Sequence, residues 1–167
     1  MKKFKFLEHT ADAKFQSFGK TLEEAFENSA LAMFNVMYDE KVKAVKKKKI
    51  KVKGKDKESL LYNFLEELLF LLDSENFFLS RISKITINKN SSNKTGNLKS
   101  GKKMNIESEK AGSIDNQKSK NYWLTAELLG DEAKNYNISL DVKAVTYNSM
   151  FVKKEKGRFI CQVVVDV

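Results

Sequence analysis

An α+β fold is what this sequence predicts: two main helices sandwiched by mainly antiparallel β-sheets, a layered β-α-β sandwich that carries one flexible insertion. Two segments with a helical apolar period each follow a capping residue, and the second is apolar round most of its circumference. The other apolar segments alternate with the two-residue period of strands, and there are too many of them for repeated βαβ units around two helices.

In chain order, Lys3 to Leu7 and Ala13 to Phe18 read as two short strands, joined by a turn from His9 to Asp12 and ended by Gly19. In "TLEE", Thr21 is placed as N-cap with Glu24 at the reciprocal position of a capping box, and the helix that follows runs to about Tyr38. Ala25, Ser29, Ala30 and Ala32 let a neighbour approach that helix closely. Lys47 to Val52 alternates as a half-buried strand whose lysines face water and protect a sheet edge. Gly54 and Asp56 announce the second helix, "KESLLYNFLEELLFLLDSE". Its polar positions Ser59, Asn63, Glu66, Glu67 and Ser74 make a narrow stripe, so one sheet cannot cover the rest, and burial on more than one side follows. Further strands are predicted over Leu79 to Ile87, Tyr122 to Leu129, Ser139 to Val145, Met150 to Val152 and Phe159 to Val165.

At 167 residues the chain suits one domain, residues 1–167. The hydrophobic share of 41% is ordinary for a globular protein, and no run approaches the ~18 consecutive apolar residues of a membrane helix. The opening "MKKFKFLEHT" has no apolar signal core, and Cys161 has no second cysteine to pair with. A soluble protein of the reducing cytoplasm is the expectation.

The net charge of +9 is concentrated in two segments. Lys41 to Lys55, "KVKAVKKKKIKVKGK", has nine lysines and no acid, while Lys89 to Lys120 has eight lysines against Glu107, Glu109 and Asp115. Together they sum to +14, leaving −5 for the rest, so most of the fold is acidic. The second segment is rich in Ser, Asn, Lys and Gly and too poor in apolar residues to offset its ordering entropy, which predicts a disordered insertion over 89–120.

The catalytic inventory is short. The sequence has no Gly-rich phosphate loop, CxxC, HExxH or GxSxG, and only one His and one Cys. Cys161 falls in the alternation Phe159, Cys161, Val163, Val165, as a buried structural thiol would. His9 reads as a turn residue bonded to backbone before it reads as a general base, since a base needs a positioned partner. Asp12 ends the first turn, and "VVVDV" places Asp166 before the carboxylate of Val167. Three carboxylates would suit a hard divalent cation, Ca²⁺, Mg²⁺ or Mn²⁺, although acids near chain ends are also commonly just solvated.

The segments "EHTAD", "TLEEAF", "LLYNFLEELLFL" and "VKAVTY", followed by an end in Asp plus one apolar residue, occur in order over nearly the whole chain outside the insertion. In this the sequence resembles the archease family. The resemblance implies a small protein cofactor, not itself an enzyme, of the GTP-dependent tRNA-splicing RNA ligase. Such a cofactor promotes formation of the ligase-guanylate intermediate on a ligase histidine and restores turnover in tRNA exon joining. Its partner would be the ligase, with tRNA engaged indirectly through it and no membrane involved. The family's metal positions fall on Asp12, Asp166 and Val167, while His9 and Lys143 would orient that site or meet the partner. The family often has Glu and His where this chain has Asp141 and Asn148; the first exchange keeps the charge, the second removes an imidazole. Two other classes compete: a stand-alone RNA-binding or RNA-chaperone module using the lysine-rich strand, and a metal-dependent phosphoester hydrolase centred on Asp12.

Overall fold

Local capping starts both helices, and a close approach of backbone to backbone seats them. The structure, a computed structural model, describes residues 2–8, 10–90 and 121–167. In α1 (Leu22–Met37) the Thr21 Oγ1 accepts the Glu24 amide at 3.1 Å. Glu24 reaches back to the Lys20 amide at 2.6 Å, one residue ahead of the amide that the predicted box would use. In α2 (Lys57–Glu75) the box is complete: Ser59 N–H donates to Asp56 Oδ1 at 2.7 Å and Asp56 N–H donates to Ser59 Oγ at 3.1 Å. Each helix is preceded by Gly-Lys-cap. A Cβ on Gly19 would lie 2.3 Å from the Ala25 nitrogen, and one on Gly54 would lie 2.4 Å from that of Leu60. Glycine is what lets both strand-to-helix corners fold this tightly.

The strands form two antiparallel sheets, as the sequence predicts. The first has the order β1-β2-β7-β6 and comprises β1 (Phe4–Leu7), β2 (Ala13–Gly19), β6 (Ala144–Glu155) and β7 (Arg158–Asp166). The second has the order β3-β5-β4 and comprises β3 (Lys46–Gly54), β4 (Phe77–Asn90) and β5 (Asn121–Glu132). A 3₁₀ turn, Ala133–Asn135, follows β5. The helices pack on each other and each touches both sheets: α1 lies against β2, β7 and β4, and α2 against β6, β3 and β4. Leu60, Leu61, Phe64, Leu65 and Leu68 of α2 are buried together with Phe26 and Met33 of α1. Among the described residues no helix is long and apolar enough to cross a membrane.

Two strand boundaries differ from expectation. The segment from Ser139 to Lys143 is not a strand: Ser139 donates its N–H and Oγ to the Met37 carbonyl, at 3.2 and 3.3 Å, which ties it to the end of α1 instead. The strands predicted at Val145 and at Met150 to Val152 are two halves of β6, joined across a bulge. Thr146 pairs with Val164 and Phe151 with Gln162, so four residues, Tyr147 to Met150, stand opposite Val163 alone. Ser149 takes a φ of 55° within it. At the other end of the predicted insertion, Lys89 and Asn90 complete β4, and residues 91–120 lie outside the described residues.

The polar stripe of α2 closes the sheet edges. β6 and β3 are edge strands, each with a row of backbone groups that no further strand pairs. Glu66 accepts the Val145 amide at 2.7 Å and Glu58 accepts that of Val152 at 3.0 Å, on either side of the β6 bulge. Asn63 donates to the Lys53 carbonyl of β3 at 2.8 Å. A charged acceptor on a sequestered amide contributes about 1.5–3 kcal/mol. Glu66→Ala is therefore expected to lower unfolding free energy by about 2 kcal/mol, whereas Glu67→Ala should stay within about 0.5 kcal/mol; urea denaturation of the two variants checks this.

Candidate metal centre at the end of the four-stranded sheet

The two aspartates flank the same end of the β2–β7 ladder. Its last pair is Ala13 with Val165; Asp12, in the bend that leads into β2, and Asp166, the last residue of β7, each lie one residue beyond that pair. On the other side of β7, Asp166 pairs with Ala144. Phe15, Val163 and Val165 are buried toward the helices, so alternation puts Asp166 on the opposite, outer face of the sheet, with Asp12 in the bend beside this end. Asp12 is half-buried and Asp166 exposed.

Lys143 bonds to the end of β7. Its N–H donates to the Asp166 carbonyl at 2.9 Å, and its Nζ lies 3.3 Å from the Val167 carbonyl oxygen, so one residue holds two successive carbonyls. His9 lies outside the described residues. Asp141 and Asn148 are exposed and belong to the approach and the bulge of β6; Asn148 Oδ1 accepts from Ser149 Oγ at 3.3 Å.

Two residues of this end were missed in the sequence. Lys14 pairs with Val164 on the same outer face as Asp166, a cation near this end that the two-residue period would have revealed. Thr146 pairs with Val164 from the other side, and its Oγ1 is buried with no hydrogen-bond partner among the described residues. Its signal was invisible without the pairing of β6 on β7.

The donor chemistry fits a hard cation. Asp12, Asp166 and the Val167 main chain offer oxygen only, and the Thr146 hydroxyl, two pairs inward on β6, is a further oxygen with no hydrogen-bond partner among the described residues. Among the described residues no three His, Cys, Asp or Glu side chains gather around one point, so an ion here would need oxygens besides those of Asp12 and Asp166.

The single thiol belongs elsewhere. Cys161 is fully buried on the inner face of β7, where burial pushes its thiol up to about 12 although the Ser29 and Ser17 hydroxyls favour the thiolate. Ser17 Oγ and Ser29 Oγ lie 2.6 Å apart, and each is 2.9 Å from the Ala25 carbonyl. Two hydroxyl protons serve these three contacts, so one serine donates to the carbonyl while the other donates to its neighbour. This is a polar seam between β2 and α1.

A family profile described as the Archease protein family matches residues 4–167. The chain belongs to the archease family. Its relatives include the archeases of Methanosarcina barkeri, 34% identical with 99% of this chain and 97% of that protein covered, and of Methanothermobacter thermautotrophicus, 34% identical with both chains covered in full. Among solved structures, protein 1598 of Methanobacterium thermoautotrophicum is 33% identical, with a TM-score of 0.69 and complete coverage of both chains. An archease of Thermotoga maritima shares the fold at 16% identity and a TM-score of 0.53, covering 96% of this chain and 94% of that one. In this archease-family chain Asp12 and Asp166 both lie at one end of the four-stranded sheet.

The Cys161 thiol of this archease-family chain is expected to resist alkylation by iodoacetamide at pH 8 in the folded state and to react at once in denaturant. Mass spectrometry of the intact protein reads both conditions.

Proposed function

We propose that this chain is a protein cofactor of a GTP-dependent tRNA-splicing RNA ligase, acting in the cytoplasm to promote guanylylation of the ligase and its turnover in tRNA exon joining. The observation that carries the reading is the presence of Asp12, Asp166, Lys143 and Val167 at one end of the four-stranded sheet, in a chain of the archease family. Sequence-distant polar residues collected at an exposed end make a tip that can enter a partner's cleft while the helical layer behind it stays packed.

Asp12, Asp166 and the Val167 main-chain oxygens would hold a divalent cation, Ca²⁺, Mg²⁺ or Mn²⁺. Such an ion supplies a compact positive charge that draws carboxylate or phosphate oxygens together. Lys143 holds the Val167 and Asp166 carbonyls in place, and Lys14 limits how much negative charge the tip carries without an ion. His9 is assigned to the turn that aims Asp12. Handing over an ion and docking against the ligase draw on the same oxygens.

The direct test is ligation of a split tRNA with GTP by the cognate ligase at limiting concentration. Adding this chain should convert a single round of joining into repeated turnover, and unchanged turnover would contradict the proposal. Asp12→Ala and Asp166→Ala should each lose that effect and weaken Ca²⁺ and Mn²⁺ binding by tenfold or more, about 1.4 kcal/mol. Thermal stability should hold to within about 1 kcal/mol, since neither carboxylate lies in the core. Calorimetric titration of the metals reads the ion site separately from the ligase.

A further inference from the structure

The outer face of the three-stranded sheet carries a charge pattern that edge protection does not explain. Its rows, read across β3, β5 and β4, are Lys53–Trp123–Asn88, Lys51–Thr125–Thr86, Lys49–Glu127–Lys84 and Lys47–Leu129–Arg81. Lys47, Lys49, Lys51, Lys53, Lys84 and Arg81 are all exposed, and the acid among them is Glu127. That carboxylate is shared by Lys47 at 2.8 Å and Lys49 at 3.3 Å. Lys51, Lys53 and Lys84 have no acidic partner among the described residues. By contrast, Lys46 and Lys48, which alternate to the other side of β3, are paired with Glu132 and Glu75.

Lysines on β3 alone would be an ordinary guard on an edge strand. Lys84 lies two strands away, and Trp123 lies on β5, the central strand, whose backbone needs no guard. Trp123 is nonetheless left half-buried on the open face, with the Lys51 Nζ 4.7 Å above its ring. An indole face framed by cations is what an unstacked base and its flanking phosphates require. Lys49, Lys51 and Lys53 recur about every 6.7 Å along the strand, a ladder of charge for an extended polyanion. A cation over an exposed ring is held about fivefold at most, whereas stacking a base is worth about five- to a hundredfold. An arriving base therefore displaces the Lys51 ammonium, which is then free to meet the phosphate beside it.

We propose that this face binds single-stranded RNA, with Trp123 as the stacking platform and Lys51, Lys53 and Lys84 as phosphate contacts. Duplex RNA offers no free base face and would lose the stacking contribution. The face lies across the helical layer from Asp12 and Asp166, so RNA held here leaves the acidic end open. The inference rests on this sheet alone and not on the ligase reading.

Trp123 is the only tryptophan in the chain, so its fluorescence reports on its own face. The purified protein is titrated, without ligase, with a labelled mixed-sequence RNA of about 12 nucleotides, and label anisotropy is followed alongside tryptophan emission. Binding should quench Trp123, and log affinity should fall against log salt with a slope of about −2 to −3, as three or four phosphate contacts predict. Changing Lys51, Lys53 and Lys84 together to Glu should cost at least about tenfold in affinity and flatten that slope by about 2. The same three-charge reversal at Lys153, Lys154 and Lys156, in the β6–β7 hairpin of the other sheet, should cost less than about threefold. Trp123→Ala should weaken binding by about tenfold without changing the slope; it also carries the test should the triple variant fail to fold by circular dichroism. No binding, binding without a change in Trp123 emission, or equal losses from the two reversals would overturn the proposal; equal losses would mean that RNA senses only net charge.

Discussion

Two helices that are apolar round most of their circumference must be covered on both sides, and this requirement organises the molecule. Burying one large aliphatic or aromatic side chain contributes about 1.5–3 kcal/mol, and α2 alone buries Leu60, Leu61, Phe64, Leu65, Leu68, Leu69 and Leu71. A single sheet would leave roughly half of that surface in water. The second sheet is therefore a condition of α2 being stable at all, and the few polar positions left on α2 are used where the covering sheets end. Glu58, Glu66 and Asn63 take up backbone groups of β6 and β3 that no further strand pairs. One stripe of one helix thus excludes water from the core and limits strand addition at two edges.

Burying the inner face of each sheet leaves the two outer faces available for function, and their chemistry differs. The four-stranded sheet ends in carboxylates and main-chain oxygen braced by Lys143, while the three-stranded sheet presents lysines around an indole. The chain is basic overall at +9, yet this end of the four-stranded sheet carries the carboxylates of Asp12 and Asp166. Separation by the helical layer keeps these surfaces from neutralising each other at short range, since charges further apart than roughly 8–10 Å are largely screened at physiological salt. Substitutions on either face should therefore act nearly independently of each other and of the core.

Much of this architecture was legible in the sequence because local signals and global packing agree. Thr21 and Asp56 cap where expected, the α2 stripe announced burial on both sides, and the alternation through Cys161, Val163 and Val165 marked an inward face. The bulge of β6 was misread as a gap between strands, because four residues that leave the ladder look in sequence like a turn. The segment from Ser139 to Lys143 alternates like a strand but is captured by the end of α1, a tertiary bond that periodicity cannot register. For the candidate site, the motifs point to Asp12, Asp166 and Lys143, while the pairing of β2, β7 and β6 brings Lys143 onto Asp166 and adds Lys14 and Thr146. Trp123 and Lys51 are far apart in the chain, so the basic aromatic face is a property of strand order alone.

The central claim is that the end of the four-stranded sheet at Asp12 and Asp166 is the surface that meets the ligase. Hydrogen–deuterium exchange of this chain, alone and with the cognate ligase and GTP but without RNA, tests it most directly. Slowed exchange confined to peptides covering Thr10 to Ala13, Lys143 to Thr146 and Val164 to Val167, with β3 and β5 unchanged, is the predicted result. Protection of β3 and β5 with no change at the Asp12 and Asp166 end would contradict it.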